Sequence, residues 1–142
     1  MMPTQTNVLQ PKNAALLIAH GSRRSEANDD LIRLAELVRS CNTYGVVEIA
    51  YLELAEPTIP QAARKCVDGG ANSVLLLPFF LAAGAHVVED LERHRGELSR
   101  EFPHVQFHLC RPLGLHPFIV DVVTHRLQEG EQVIRRTTSD RG

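Results

Sequence analysis

Apolar positions along this 142-residue chain follow two alternating patterns. Residues 14–19 form a short continuous apolar run, Ala-Ala-Leu-Leu-Ile-Ala. Residues 46–54 and 73–77 form two more, rich in β-branched and aliphatic side chains. The first and third read as strands buried on both faces, as in a parallel sheet, and the second as a strand. Each is followed by apolar residues at helical spacing. Leu31, Leu34, Ala35 and Val38 share one stripe of a helix starting at Ser25. Ile59, Ala62, Ala63, Cys66 and Val67 share another, with Thr58 as N-cap and Pro60 in the first turn. Val87, Val88, Leu91, His94 and Leu98 lie on one side of a third helix starting near His86. A fourth strand is expected over 105–109, and a last helix turns Ile119, Val122, Val123 and Leu127 inward.

The order is strand–helix, four times over. It predicts a single α/β domain: a parallel sheet of about four strands, helices on both faces, right-handed crossovers. Residues 1–12, polar with two prolines, read as a flexible lead-in; 13–135 as the domain; 136–142 as a polar, frayed tail. One domain is what 142 residues support, and at this length roughly 70% of the unfolded surface can be buried. Sheets of this type bind ligands outside the carboxyl ends of their strands. Candidate chemistry is therefore sought there.

Composition narrows the partners. The chain is 44% apolar and 23% charged, as in a water-soluble globular protein. Its formal net charge of −2 gives no field to attract nucleic acid, so an anionic ligand must be met by local basic residues. Cys41, Cys66 and Cys110 form no C-x-x-C pair and read as reduced, mostly buried thiols. The first residues carry no signal-like apolar core, and no run approaches the ~18 residues of a membrane span. A cytoplasmic protein with no membrane partner is expected.

The strands end in unusual residues. The first closes on His20-Gly21-Ser22-Arg23-Arg24, the second near Glu53 and Glu56. The third closes on Pro78 and an apolar loop, 79–85, that delivers His86; the fourth on Cys110-Arg111-Pro112. Two imidazoles and a carboxylate on one edge suit a borderline divalent metal. A helix start disfavours imidazolium, so His86 should be neutral, as a metal ligand or proton acceptor must be. Glu89 and Asp90 are expected in the first turn of the same helix as dipole partners, Asp90 also as an orienter of His86. His94, His104, His108, His116 and His125 read as surface or capping residues.

Four motifs, in this order and spacing, resemble the short CbiX-type sirohydrochlorin chelatases. They are Ala19-His20-Gly21-Ser22-Arg23, residues 50–57 (AYLELAEP), Leu77-Pro78-Phe79-Phe80-Leu81, and residues 84–91 (GAHVVEDL). The Arg111-Pro112-Leu113-Gly114 turn is also similar to theirs. The resemblance spans residues 14–128. It implies a chelatase-like fold that uses neither ATP nor an organic cofactor, and a homodimer mimicking the two halves of longer chelatases. It implies insertion of Co²⁺ or Fe²⁺, with Ni²⁺ also compatible, into sirohydrochlorin in cobalamin or siroheme biosynthesis. The family's metal-site histidines match His20 and His86, and its motif glutamate matches Glu53. Arg23, Arg24 and Arg111 are then candidates for the substrate's carboxylates, and Phe79, Phe80, Leu81 and Gly84 for its macrocycle face.

Two other classes are weaker. A hydrolase built on Ser22 lacks a G-x-S-x-G elbow and a triad order. A non-catalytic metal or tetrapyrrole carrier would use the same residues and would differ by lacking turnover.

Overall fold

The computed structural model describes residues 12–141. Apart from Lys12, the expected lead-in lies outside the described residues. Eight elements follow in the expected order: β1 (Asn13–Ala19), α1 (Ser25–Ser40), β2 (Val46–Tyr51), α2 (Ile59–Asp68), β3 (Ser73–Pro78), α3 (Ala85–Glu101), β4 (Gln106–Leu109) and α4 (Pro117–Asp140). They divide into two compact units, one ending at Pro112 and one beginning at Leu113.

The first unit holds a four-stranded, fully parallel sheet in the order β2-β1-β3-β4. β1 and β3 are the two inner strands, and β1, the most continuously apolar, is buried on both faces along most of its length. Leu16 and Ile18 turn to one face and pack with Ile59, Ala62 and Cys66 of α2 and Leu91 and Leu98 of α3. Ala15 and Leu17 turn to the other and meet Leu31 and Ala35 of α1. Helices thus cover both faces. Burying a side chain such as Leu16 or Ile18 contributes about 1.5–3 kcal/mol. Thr58 caps α2 as expected, and does so reciprocally: its hydroxyl accepts from the Gln61 N–H while the Gln61 side chain accepts from the Thr58 N–H.

Several expectations need correction. β2 ends at Tyr51, not Leu54, because residues 52–58 turn away as a loop. β3 is not uniformly buried: Val74, Leu76 and Pro78 are, while Leu75 and Leu77, pointing to the other face, are half-buried. Cys66 is buried and Cys110 half-buried, but Cys41 is exposed at the end of α1. Burial, with help from the Glu48 charge, pushes the Cys66 thiol up to about 12, so it stays protonated.

The second unit is dominated by α4. His116 caps it, its Nδ1 accepting from the Phe118 N–H at 3.2 Å, and Pro117 opens it. The helix runs to Asp140, through most of the segment expected to be frayed. None of its residues is buried. The expected inward residues Val122, Val123 and Leu127 are 52%, 53% and 65% exposed.

Candidate functional site at the carboxyl edge of the sheet

β1 and β3 are neighbours, yet the chain leaves β1 toward β2 and β3 toward β4, in opposite directions. That divergence opens a crevice beyond their carboxyl ends. His20 follows β1 directly, and Phe79 and Phe80 follow β3. The Phe79 N–H donates to the Ile18 carbonyl at 2.7 Å, which carries the ladder one residue past the sheet. Phe80 folds back into the core, and the exposed His20 ring stacks on it, centroids 4.4 Å apart and planes at 26°. An aromatic pair of this kind is worth about 0.5–1.5 kcal/mol beyond its burial. It fixes the imidazole while leaving it open to solvent.

The loop after β2 is tied to the same place. The Leu52 N–H donates to the Ala19 carbonyl at 2.9 Å and the Glu53 N–H to the His20 carbonyl at 3.0 Å. The Tyr51 N–H reaches across the loop to the Pro57 carbonyl at 2.9 Å. Leu54 adopts a left-handed φ of 66°, uncommon for a leucine, and is 54% exposed. Gly21 is required twice over. Its φ is 95°, and a Cβ there would lie 1.9 Å from the Glu53 carbonyl oxygen. The structure thus joins the backbones of His20 and Glu53, and the Glu53 side chain is exposed. Beyond Gly21, Ser22 is clamped by Asn28: its N–H donates to Asn28 Oδ1 and its carbonyl accepts from Asn28 Nδ2. The Ser22 hydroxyl accepts from the Arg24 N–H at 3.1 Å, the role of a turn residue rather than a nucleophile.

His86 occupies the second position of α3, after the N-cap Gly84, with its side chain fully exposed. Its Nδ1 lies 4.0 Å from Glu89 Oε2. Glu89 and Asp90 fall beyond the first turn, which contains no acidic residue, and Asp90 pairs with Arg93 instead of orienting His86. Around the edge, Phe79 is 37% and Leu81 63% exposed, as apolar surface offered to a ligand would be. Arg23 and Arg24 after β1 and Arg111 after β4 are exposed and have no ion-pair partner among the described residues. No three His, Cys, Asp or Glu side chains gather into a metal-holding group among the described residues.

Two features escaped sequence reasoning. His94 is not a surface residue: half-buried on α3, its Nδ1 has no hydrogen-bond partner, and burial pushes its pKa below the ordinary value. The inward spacing Leu91, His94, Leu98 carried that signal. The other is a small cavity of about 180 Å³ between the start of α3 and the end of β4, lined by Val88, Leu91, Leu109, Cys110 and Arg111 among others. No linear motif announces it, since its walls come from the end of β3, the loop after it, α3, and the end of β4 with the turn beyond. Of the remaining histidines, His104 and His108 are exposed and His125 forms an exposed pair with Glu129.

The four-stranded parallel α/β architecture is shared with solved structures of sirohydrochlorin chelatases. The chain belongs to the CbiX family, whose model matches residues 14–130. It is 35% identical over 122 residues to the chloroplastic sirohydrochlorin ferrochelatase of Arabidopsis thaliana, covering 86% of this chain and 54% of that protein. Among solved structures it is similar to the sirohydrochlorin chelatase SirB from Bacillus subtilis subspecies spizizenii in complex with cobalt. There the TM-score is 0.77 and the identity 30%, with 83% of this chain and 50% of that one covered. A CbiX protein of Marinobacter aquaeolei is similar over 84% of this chain and 98% of its own, with TM-score 0.73 and 28% identity. The chain spans about half the length of the curated relatives it matches first.

Proposed function

We propose that this protein inserts a divalent metal, Co²⁺ or Fe²⁺, into sirohydrochlorin, a step in cobalamin or siroheme biosynthesis. The observation that carries the reading is His20, stacked on Phe80 at the switch point, with an exposed apolar loop leading from it to His86. Names of relatives point the same way: ferrochelatase for the plant protein, and a cobalt complex for the bacillar one.

Insertion exchanges one M²⁺ for two pyrrole N–H protons. His20 and His86 bind the hydrated metal, and each, on releasing it, takes up one of the two protons and passes it to solvent. Glu53, held beside His20 through the backbone, assists either task. A closed cage of about four ligands would retain the metal; separate donors let it leave for the macrocycle. Phe79 and Leu81 meet the macrocycle face, Gly84 lets it approach the start of α3, and Arg23, Arg24 and Arg111 bind its carboxylates. The donor set also accommodates Ni²⁺. Nothing in the exchange calls for ATP or an organic cofactor, and the reduced cysteines suit the cytoplasm.

Two copies assemble into the working enzyme. The resemblance to the short CbiX-type chelatases supports this. So does α4, whose exposed Val120, Val123, Leu127 and Ile134 are spaced three, four and seven residues apart, as in a helix–helix seam. The domain is assigned to 13–135, with α4 continuing it into the polar 136–140 stretch.

The test is anaerobic absorbance of sirohydrochlorin with Co²⁺ or Fe²⁺ and sub-stoichiometric protein. Conversion faster than the protein-free control, and lost in His86→Ala, is the expected result. A bound but unmetallated spectrum would instead identify a carrier. Sedimentation would check the dimer.

A further inference from the structure

We infer that the cavity between α3 and β4 is a subsite for a single carboxylate-bearing arm of the tetrapyrrole, with Arg111 as its anion partner. This rests on the reading above and assigns a place to one arm. The cavity's size decides what it can hold. At about 180 Å³ it is well below the roughly 300–1,000 Å³ of pockets that enclose a whole drug-sized ligand, and equals about six waters at ~30 Å³ each. A macrocycle is excluded, while an acetate or propionate arm is accommodated.

The lining matches such an arm along its length. Leu91, Val88 and Leu109 supply aliphatic walls for methylenes. Arg111 adds a guanidinium with no carboxylate partner among the described residues. A cation left without an internal partner beside an apolar cleft complements a ligand that is aliphatic at one part and anionic at another. Position agrees as well. The Cys110 N–H donates to the Leu76 carbonyl at 2.9 Å, which fixes the start of the Arg111 turn against β3. Val88 is two residues after His86, in the first turn of α3. An arm seated here would place its macrocycle next to the start of α3, so the subsite sets the orientation of the ring as well as its affinity.

The test is metal-free binding of sirohydrochlorin followed by its own fluorescence, on wild type, Arg111→Gln, Val88→Phe and the double variant, each checked by thermal melt. Val88 is 44% exposed and Arg111 exposed, so both substitutions are made at the surface. Each single variant is expected to weaken binding about tenfold, or about 1.4 kcal/mol. The double variant should be no weaker than the worse single one, because both disturb the same arm. Arg111→Lys should recover only part of the loss. Additive losses, or unchanged affinity in Val88→Phe, would overturn the subsite while leaving the chelatase reading intact. A wild-type protein that neither binds nor metallates sirohydrochlorin would remove both.

Discussion

The two halves of the carboxyl edge are built differently. At the β1–β2 end, backbone hydrogen bonds from Leu52 and Glu53 reach Ala19 and His20, and Gly21 lets the loops approach within a distance no side chain would allow. At the β3 end, residues 80–83 make no hydrogen bond among the described residues, and Gly84 has nothing within 4 Å of where a Cβ would sit. The first half is a rigid mount for one imidazole. The second is an apolar surface that ends in another imidazole free to turn. In the proposed reaction, the fixed imidazole would capture the metal and the yielding one would hand it to the ring.

Glycine substitutions give the largest test of this contrast. Gly21→Ala meets a backbone oxygen and a forbidden φ together, and is expected to cost about 3 kcal/mol of stability, read by urea unfolding. Gly84→Ala, with a φ of −69° and open space, should cost no more than about 0.5 kcal/mol. Equal losses would erase the distinction. For the histidines, His20→Ala and His86→Ala should each lower insertion by at least about 100-fold. Only His20→Ala should also lower the melting temperature, since only His20 is stacked on a core aromatic. Near-wild-type turnover in either variant would remove it from the site.

Smaller effects probe what supports the two halves. Thr58→Ala removes a reciprocal cap at the far end of the β2 loop and should cost about 1 kcal/mol. His94, behind the β3 half, should make stability fall in mild acid. Its folded pKa is depressed, so the unfolded chain binds the extra proton first. The native state is favoured fully above an unfolded pKa of about 6.5 and progressively less as pH falls below it. His94→Gln should flatten that slope by a few tenths of a kcal/mol in denaturant midpoints between pH 7 and pH 5. An unchanged slope would place the acid sensitivity elsewhere.

Strand and helix order, the capped start of α2 and the placement of His20 and His86 at element boundaries were legible in the chain, because each depends on neighbours a few residues away. Apolar runs gave β1 and β3, and helical spacing with the Thr58 cap gave the starts of α1, α2 and α3 to within a residue. The motifs of the CbiX family were legible for the same reason. By contrast, β2 looked continuous to Leu54 because Leu52 and Leu54 are good strand residues; the loop is held by bonds to Ala19 and His20, over thirty residues away. Periodicity on α4 predicted a buried face but could not say what would bury it, and no residue of that helix is buried.

The sequence by itself therefore determined the α/β alternation, the elements' local caps and which residues carry nitrogen, carboxylate and guanidinium groups to the strand ends. Tertiary structure decided the strand order β2-β1-β3-β4 and with it the crevice between β1 and β3. It also decided the stacking of His20 on Phe80, the closeness of Gly21 to Glu53, and the cavity under Arg111. The division follows the range of the forces. Backbone propensity and capping act within a turn or two, while packing and ladder hydrogen bonds join residues that only the folded chain brings together.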